Sequence, residues 1–141
     1  MVLIGFHDIG RKGLEEREFL QELCSTVMSV DKNIRFAGVI NSDGKLLVGH
    51  YRKDIQSPMI NSSPIRLSDG ITSFRASYLS LSSLQKPFEP LLGQLNYQLT
   101  DYDKVKLVTI PLTDRNDLYL CASIDPVKNC QEIIAKILKS I

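Results

Sequence analysis

Histidine is scarce in this 141-residue chain: there are two, His7 and His50, in unrelated contexts. A zinc or iron site draws several His, Cys or carboxylate ligands to one point, so the sequence offers no metal centre. Cysteine is scarce too, at 24, 121 and 130, with no C-x-x-C pair. That excludes a disulfide framework and suits a reducing compartment. Neither charge dominates, with 17 Lys and Arg against 16 Asp and Glu and a net charge of +1, so the chain lacks the footprint of a nucleic-acid binder. No apolar run approaches the roughly 20 residues that span a bilayer, and the start "MVLIGFHDIG" lacks the basic head and long apolar core of a secretory signal. These absences predict a cytoplasmic protein.

Catalytic signatures are absent as well. The glycines at 5, 10 and 13 do not make a phosphate-cradling loop, and there is no G-x-S-x-G elbow. Asp101, Asp103, Asp114 and Asp117 fall in turn-like links, where Asp serves backbone hydrogen bonding. Cys24, Cys121 and Cys130 sit on apolar faces and read as small core residues. An enzyme would have to use Tyr97, Tyr102, His50 or Cys121, and none has a nameable activating partner. The expectation is a protein that is not an enzyme and carries no cofactor.

What is present is strong patterning. Residues 14–30 predict a first helix, with Phe19, Leu20, Leu23, Cys24, Val27, Met28 and Val30 on one half of the wheel. "IRFAGVI" (34–40) and "KLLVGHY" (45–51) predict two strands joined by a turn at Asn41, Ser42, Asp43 and Gly44. Both are apolar at nearly every position, as in strands covered on both faces. One face of the second strand is read as Leu46, Val48 and His50, the other as Leu47, Gly49 and Tyr51.

Residues 51–64 predict a loop and 68–85 a second helix, with Ile71, Phe74, Tyr78 and Leu81 on one face. Pro87 and Pro90 break the pattern, and Gly93 closes the segment. Three more strands are predicted at 94–100, 104–112 and 118–124. A third helix follows, with Asp125 as N-cap and Pro126 at its first position. Its stripe is Val127, Cys130, Ile133, Ile134, Ile137, Leu138 and Ile141, opposite Lys128, Glu132, Lys136 and Lys139. Residues 1–13 read as an N-terminal arm: an extra strand, a grip on another subunit and a loose terminus all fit.

The element order is therefore α-β-β-α-β-β-β-α over a single domain, 14–141. With the hairpin "FAGVINSDGKLLVG" and the tail "DLYLCASIDPVKNCQEIIAKILKSI", this order resembles the roadblock (dynein light chain) domain, a relative of longin and profilin folds. The stretches "IRFAGVINSDGKLLVGHYRK" and "YDKVKLVTIPL" also resemble an archaeal family of that architecture. The resemblance implies an α+β fold. It is a three-layer α/β/α sandwich on a five-stranded antiparallel sheet of order 2-1-5-4-3, the second helix on one face and the first and third on the other. It further implies a homodimer, or a heterodimer with another roadblock-like protein, built through the second helix and the third strand. Its function would be that of a non-catalytic adaptor in signalling or small-GTPase regulation, with a small GTPase as partner.

Two sets of candidate site residues follow. Ser73, Ala76, Ser80 and Ser83 form a strip of small residues on the second helix, with Leu79 stranded among polar neighbours. This strip is either a solvent face or a packing surface; with Leu95, Tyr97 and Leu99 of the third strand it makes the candidate partner surface. The second set is His50, Arg52 and Lys53 with Lys104 and Lys106, either a solvated strand end or a basic patch for an anionic ligand or acidic partner. Placed beside the long 51–64 loop, that cluster gives an alternative reading: a small-molecule sensor of the PAS or GAF kind, which partly share this element order.

Overall fold

The computed structural model describes residues 13–54, 89–113 and 117–141. The predicted second helix, with Ser73, Ala76, Leu79, Ser80 and Ser83, lies outside the described residues, as does the loop from 55 to 64. In chain order the elements are α1 (Gly13–Ser29), β1 (Ile34–Asn41), β2 (Leu46–Tyr51), a helical turn α2 (89–92), β3 (Gln98–Asp101), β4 (Lys106–Pro111), β5 (Leu118–Ile124) and α3 (Cys130–Ser140).

The strands make one antiparallel sheet of order β2-β1-β5-β4-β3, the order implied by the resemblance. β5 lies at its centre and all seven of its residues are buried. One face carries Ala37, Val39, Val48, Val108, Ile110, Leu120, Ala122 and Ile124. They join Leu20, Leu23, Cys24 and Val27 of α1 and Cys130, Ile133, Ile134 and Ile137 of α3 in a single core. Each large aliphatic buried there contributes about 1.5–3 kcal/mol. The opposite face is buried as well, through Phe36, Ile40, Leu107, Tyr119 and Cys121. Strands that are apolar throughout are what a sheet buried on both sides requires.

The β1–β2 turn is anchored by Asn41, whose Oδ1 accepts from the Asp43 and Lys45 amides at 2.9 and 3.0 Å. Gly44 takes a φ of 76°, the left-handed region that glycine enters without strain.

Four expectations need correction. First, the β1–β2 pairing skips Leu47, since Val39 faces Val48 and Ile40 faces Leu46. This bulge moves Leu46 away from Val48 and His50, onto the Phe36 side with Tyr51. Second, β3 begins at Gln98, not 94. Leu112 N bonds to Leu118 O at 3.0 Å, so odd-numbered residues of β4 face β3. The next hydrogen-bonding position of β3 would then fall opposite Pro111, which has no N–H to give. Third, Pro90 itself has helical backbone, within the described residues 89–92 of α2; the stretch before it, with Pro87, lies outside the described residues. Gly93 does close α2, at φ 82°, its N–H bonding to Glu89 O at 2.8 Å. Fourth, α3 starts at Cys130 with Asn129 at its N-cap, and Asp125 caps nothing. Asp125 is held by two guanidinium groups instead.

Candidate functional site

Arg52, immediately after β2, governs one end of the sheet. Its amide bonds to Arg35 O at 2.8 Å, continuing the β1–β2 ladder by one pair. Its side chain turns back across the strand ends. Nε and Nη2 donate to the two oxygens of Asp54 at 2.6 and 2.9 Å, Nη1 donates to Asp125 Oδ2 at 2.7 Å, and Nη1 also reaches Lys32 O at 3.2 Å. Arg35 adds a longer contact to Asp125 Oδ1 at 3.5 Å. Two cations and two carboxylates thus neutralise one another. Hydrogen bonding to Asp54, then to Asp125, raises the Arg52 pKa further above its usual value, and the same bond lowers that of Asp54.

The five basic candidates do not converge. β2 and β4 are separated by β1 and β5, about 14 Å between strand axes. Lys106 is paired with Asp101 across the β3–β4 turn, where Tyr102 N bonds to Val105 O at 3.0 Å and holds Lys104 in the turn. Lys53 and Lys104 are exposed. His50 lies on the α1 side of the sheet. There it helps line an open depression of about 360 Å³ with Glu18, Gln21, Glu22 and Ser25 of α1. That depression is shallow, unlike the enclosed cavity a small-molecule sensor uses. Among the described residues, no three His, Cys, Asp or Glu side chains converge to hold a metal ion.

The third-strand candidates divide between the two faces. Tyr97 and Leu99 pack against the core beneath α3, and the Tyr97 hydroxyl donates to Gln131 Oε1 at 3.2 Å. Leu95 packs on the Phe36 face. The open apolar surface lies just upstream: Leu91 is 81% and Leu92 79% exposed, and Tyr102 beyond β3 is 50% exposed. Sequence reasoning passed over the two leucines. Their signal was a Leu-Leu pair held between Pro90 and Gly93, read there as a break.

All three cysteines are free and buried. Burial pushes the Cys24 thiol up to about 12 and raises the other two, so none is a ready nucleophile. No helix among the described residues is long and apolar enough to cross a membrane.

No family model matches the sequence, and no curated protein matches it. Solved structures do match in fold. A roadblock/LC7 domain from Streptomyces avermitilis aligns over 86% of this chain and 92% of its own, with 15% identity and a TM-score of 0.57. MglB from Myxococcus xanthus aligns over 99% and 90%, with 13% identity and a TM-score of 0.61. The fold is that of the roadblock/LC7 domain. An MglB with a tetrameric arrangement shares it too, over 87% of this chain and 85% of its own, with 13% identity and a TM-score of 0.60. In this roadblock/LC7 sheet β2 and β3 are the edge strands, with Arg52 at the end of one edge and Leu91 and Leu92 leading into the other.

Proposed function

We propose that the chain is a non-catalytic roadblock-like adaptor that self-associates, or pairs with another roadblock-like protein, and docks partners in signalling or small-GTPase control. Residues 14–141 are the domain and 1–13 an arm upstream of it, working in the cytoplasm. The observation that carries this reading is the exposed Leu91–Leu92 pair beside the short edge strand β3. Two leucines held open to water on a helical turn that leads into an edge strand are apolar surface that another protein would cover. The roadblock/LC7 fold supports the reading, and one relative of that fold is described as tetrameric. Ser73, Ala76, Leu79, Ser80 and Ser83 extend the proposed surface, together with Leu95.

Sedimentation equilibrium at tens of micromolar tests it. Self-association is expected, through a contact of upwards of about 1,000 Å². Leu91→Asp with Leu92→Asp is expected to raise the dissociation constant at least about tenfold while leaving the circular dichroism spectrum unchanged. A wild-type monomer that also fails to capture a second roadblock-like chain or a small GTPase would end this reading.

A further inference from the structure

The two edges of the sheet are protected unequally. β3 has four residues and ends on Asp101, whereas β2 runs for six as Leu-Leu-Val-Gly-His-Tyr, without a charged residue or proline. Natural edge strands are usually kept short or given lysine, proline or an inward charge, because their free N–H and C=O groups template another strand. The only such device on β2 is the bulge at Leu47, near its start.

Hydrogen-bond parity shows which groups are free. Arg52 N bonds to Arg35 O, and the register then makes His50–Ala37 and Val48–Val39 the next bonded pairs. The backbones of Gly49 and Tyr51 therefore point away from β1, out of the sheet. Gly49 is exposed, and among the described residues no second strand pairs with this edge.

A strand laid along that edge would send alternate side chains to the two faces. On the α1 side they would enter the depression lined by Glu18, Gln21, Glu22, Ser25 and His50. The four α1 residues are spaced i, i+3, i+4 and i+7, one polar stripe running beside β2. Glu18 and Glu22 are exposed and make no ion pair among the described residues. On the other side the incoming residues would meet Leu46 and Tyr51, which are half-buried.

We propose that the β2 edge is a docking site for an extended segment of a partner protein that alternates basic and apolar residues. Its main chain adds a sixth strand through Gly49 and Tyr51. Its basic side chains meet Glu18 and Glu22, and its apolar ones flank Leu46 and Tyr51. This site lies at the opposite edge from β3, about 19 Å away across the sheet, so it goes beyond the self-association proposed above and operates whether or not that occurs.

The test is an amide-resolved NMR titration of the full chain. Three capped peptides are compared: one alternating lysine and valine, its glutamate–valine counterpart, and the first with alternate backbone nitrogens methylated. The lysine–valine peptide is expected to shift the Gly49 and Tyr51 amides and slow their hydrogen exchange. The methylated peptide should bind at least about tenfold more weakly, since it cannot complete the ladder. Glu18→Gln with Glu22→Gln, both surface changes, should weaken the unmodified peptide by roughly tenfold. Equal binding of the glutamate peptide, indifference to methylation, or shifts confined to β3, Leu91 and Leu92 would each overturn the proposal. So would movement of the Gly49 and Tyr51 amides on dilution of the protein alone, because a second copy would then own the edge.

Discussion

Arg52 and Asp125 meet at 2.7 Å although 73 residues separate them, and their contact ties the end of edge strand β2 to the end of central strand β5 across the start of β1. Both side chains are about a quarter exposed, so the bond is only partly screened by water. Asp125→Asn and Arg52→Met are each expected to lower stability by about 1–2 kcal/mol. The double variant should cost less than their sum, because the two share one interaction. Urea denaturation of the four proteins measures this; strict additivity would show that the contact contributes nothing.

Gly38 is required by its neighbour rather than by its own backbone. A Cβ there would sit 2.5 Å from Phe36 Cζ and 2.9 Å from Val48 O. Phe36 reaches over both Gly38 and Gly49, which face each other across β1 and β2, and its ring lies 4.5 Å from that of Tyr51. Gly38→Ala is expected to cost about 1–3 kcal/mol as overpacking, and Phe36→Leu in that background should recover part of the loss. Thermal melts of the single and double variants decide it. An unchanged melting temperature for Gly38→Ala would refute the account.

Acid should weaken the fold through Asp31. Its carboxylate accepts from the Asn33 amide at 2.9 Å and from Lys136 Nζ at 3.3 Å, and these bonds hold its pKa below the ordinary value. The folded chain thus binds this proton less tightly than the unfolded one. The resulting stability is complete above the ordinary carboxylate value of about 4 and disappears as pH falls through the lowered one. Asp31→Asn is expected to shift the urea midpoint downward near neutral pH and progressively less towards about pH 2–3. A gap independent of pH would contradict it.

The cysteines offer a probe of global opening. Cys24, Cys121 and Cys130 are buried with raised thiol pKa values, so they remain protonated and shielded in the native state. Iodoacetamide near pH 8 is expected to label the folded chain at least about a thousandfold more slowly than the urea-unfolded chain, which should take three labels. Rapid native labelling at any one position, read by mass spectrometry, would show a locally open core.

Sequence patterning reached the elements whose signal is continuous. β5 at 118–124 was legible because seven core-forming residues stand between turn signals, and α3 because its stripe repeats over three turns. What it missed depends on a partner elsewhere in the chain. Asp125 beside Pro126 is a capping pattern in any local reading, yet Arg52 claims the carboxylate from 73 positions away. The start of β3 is set by a proline on β4, and the faces of Leu46 and Leu47 by a bulge that strict alternation cannot anticipate. For the basic cluster, charge could be counted but pairing could not: Arg52 and Lys106 already have carboxylate partners.

The position of β5 bears on how the chain is made. Its neighbours are β1, near the beginning, and β4, immediately before it. The β1–β2 hairpin therefore waits, with its inner border bare, until residue 124 has left the ribosome. At about 5–20 residues per second, that delay between residues 51 and 124 lasts several seconds. During biosynthesis the hairpin thus keeps an unpaired edge until β5 is made, and slower translation lengthens that exposure.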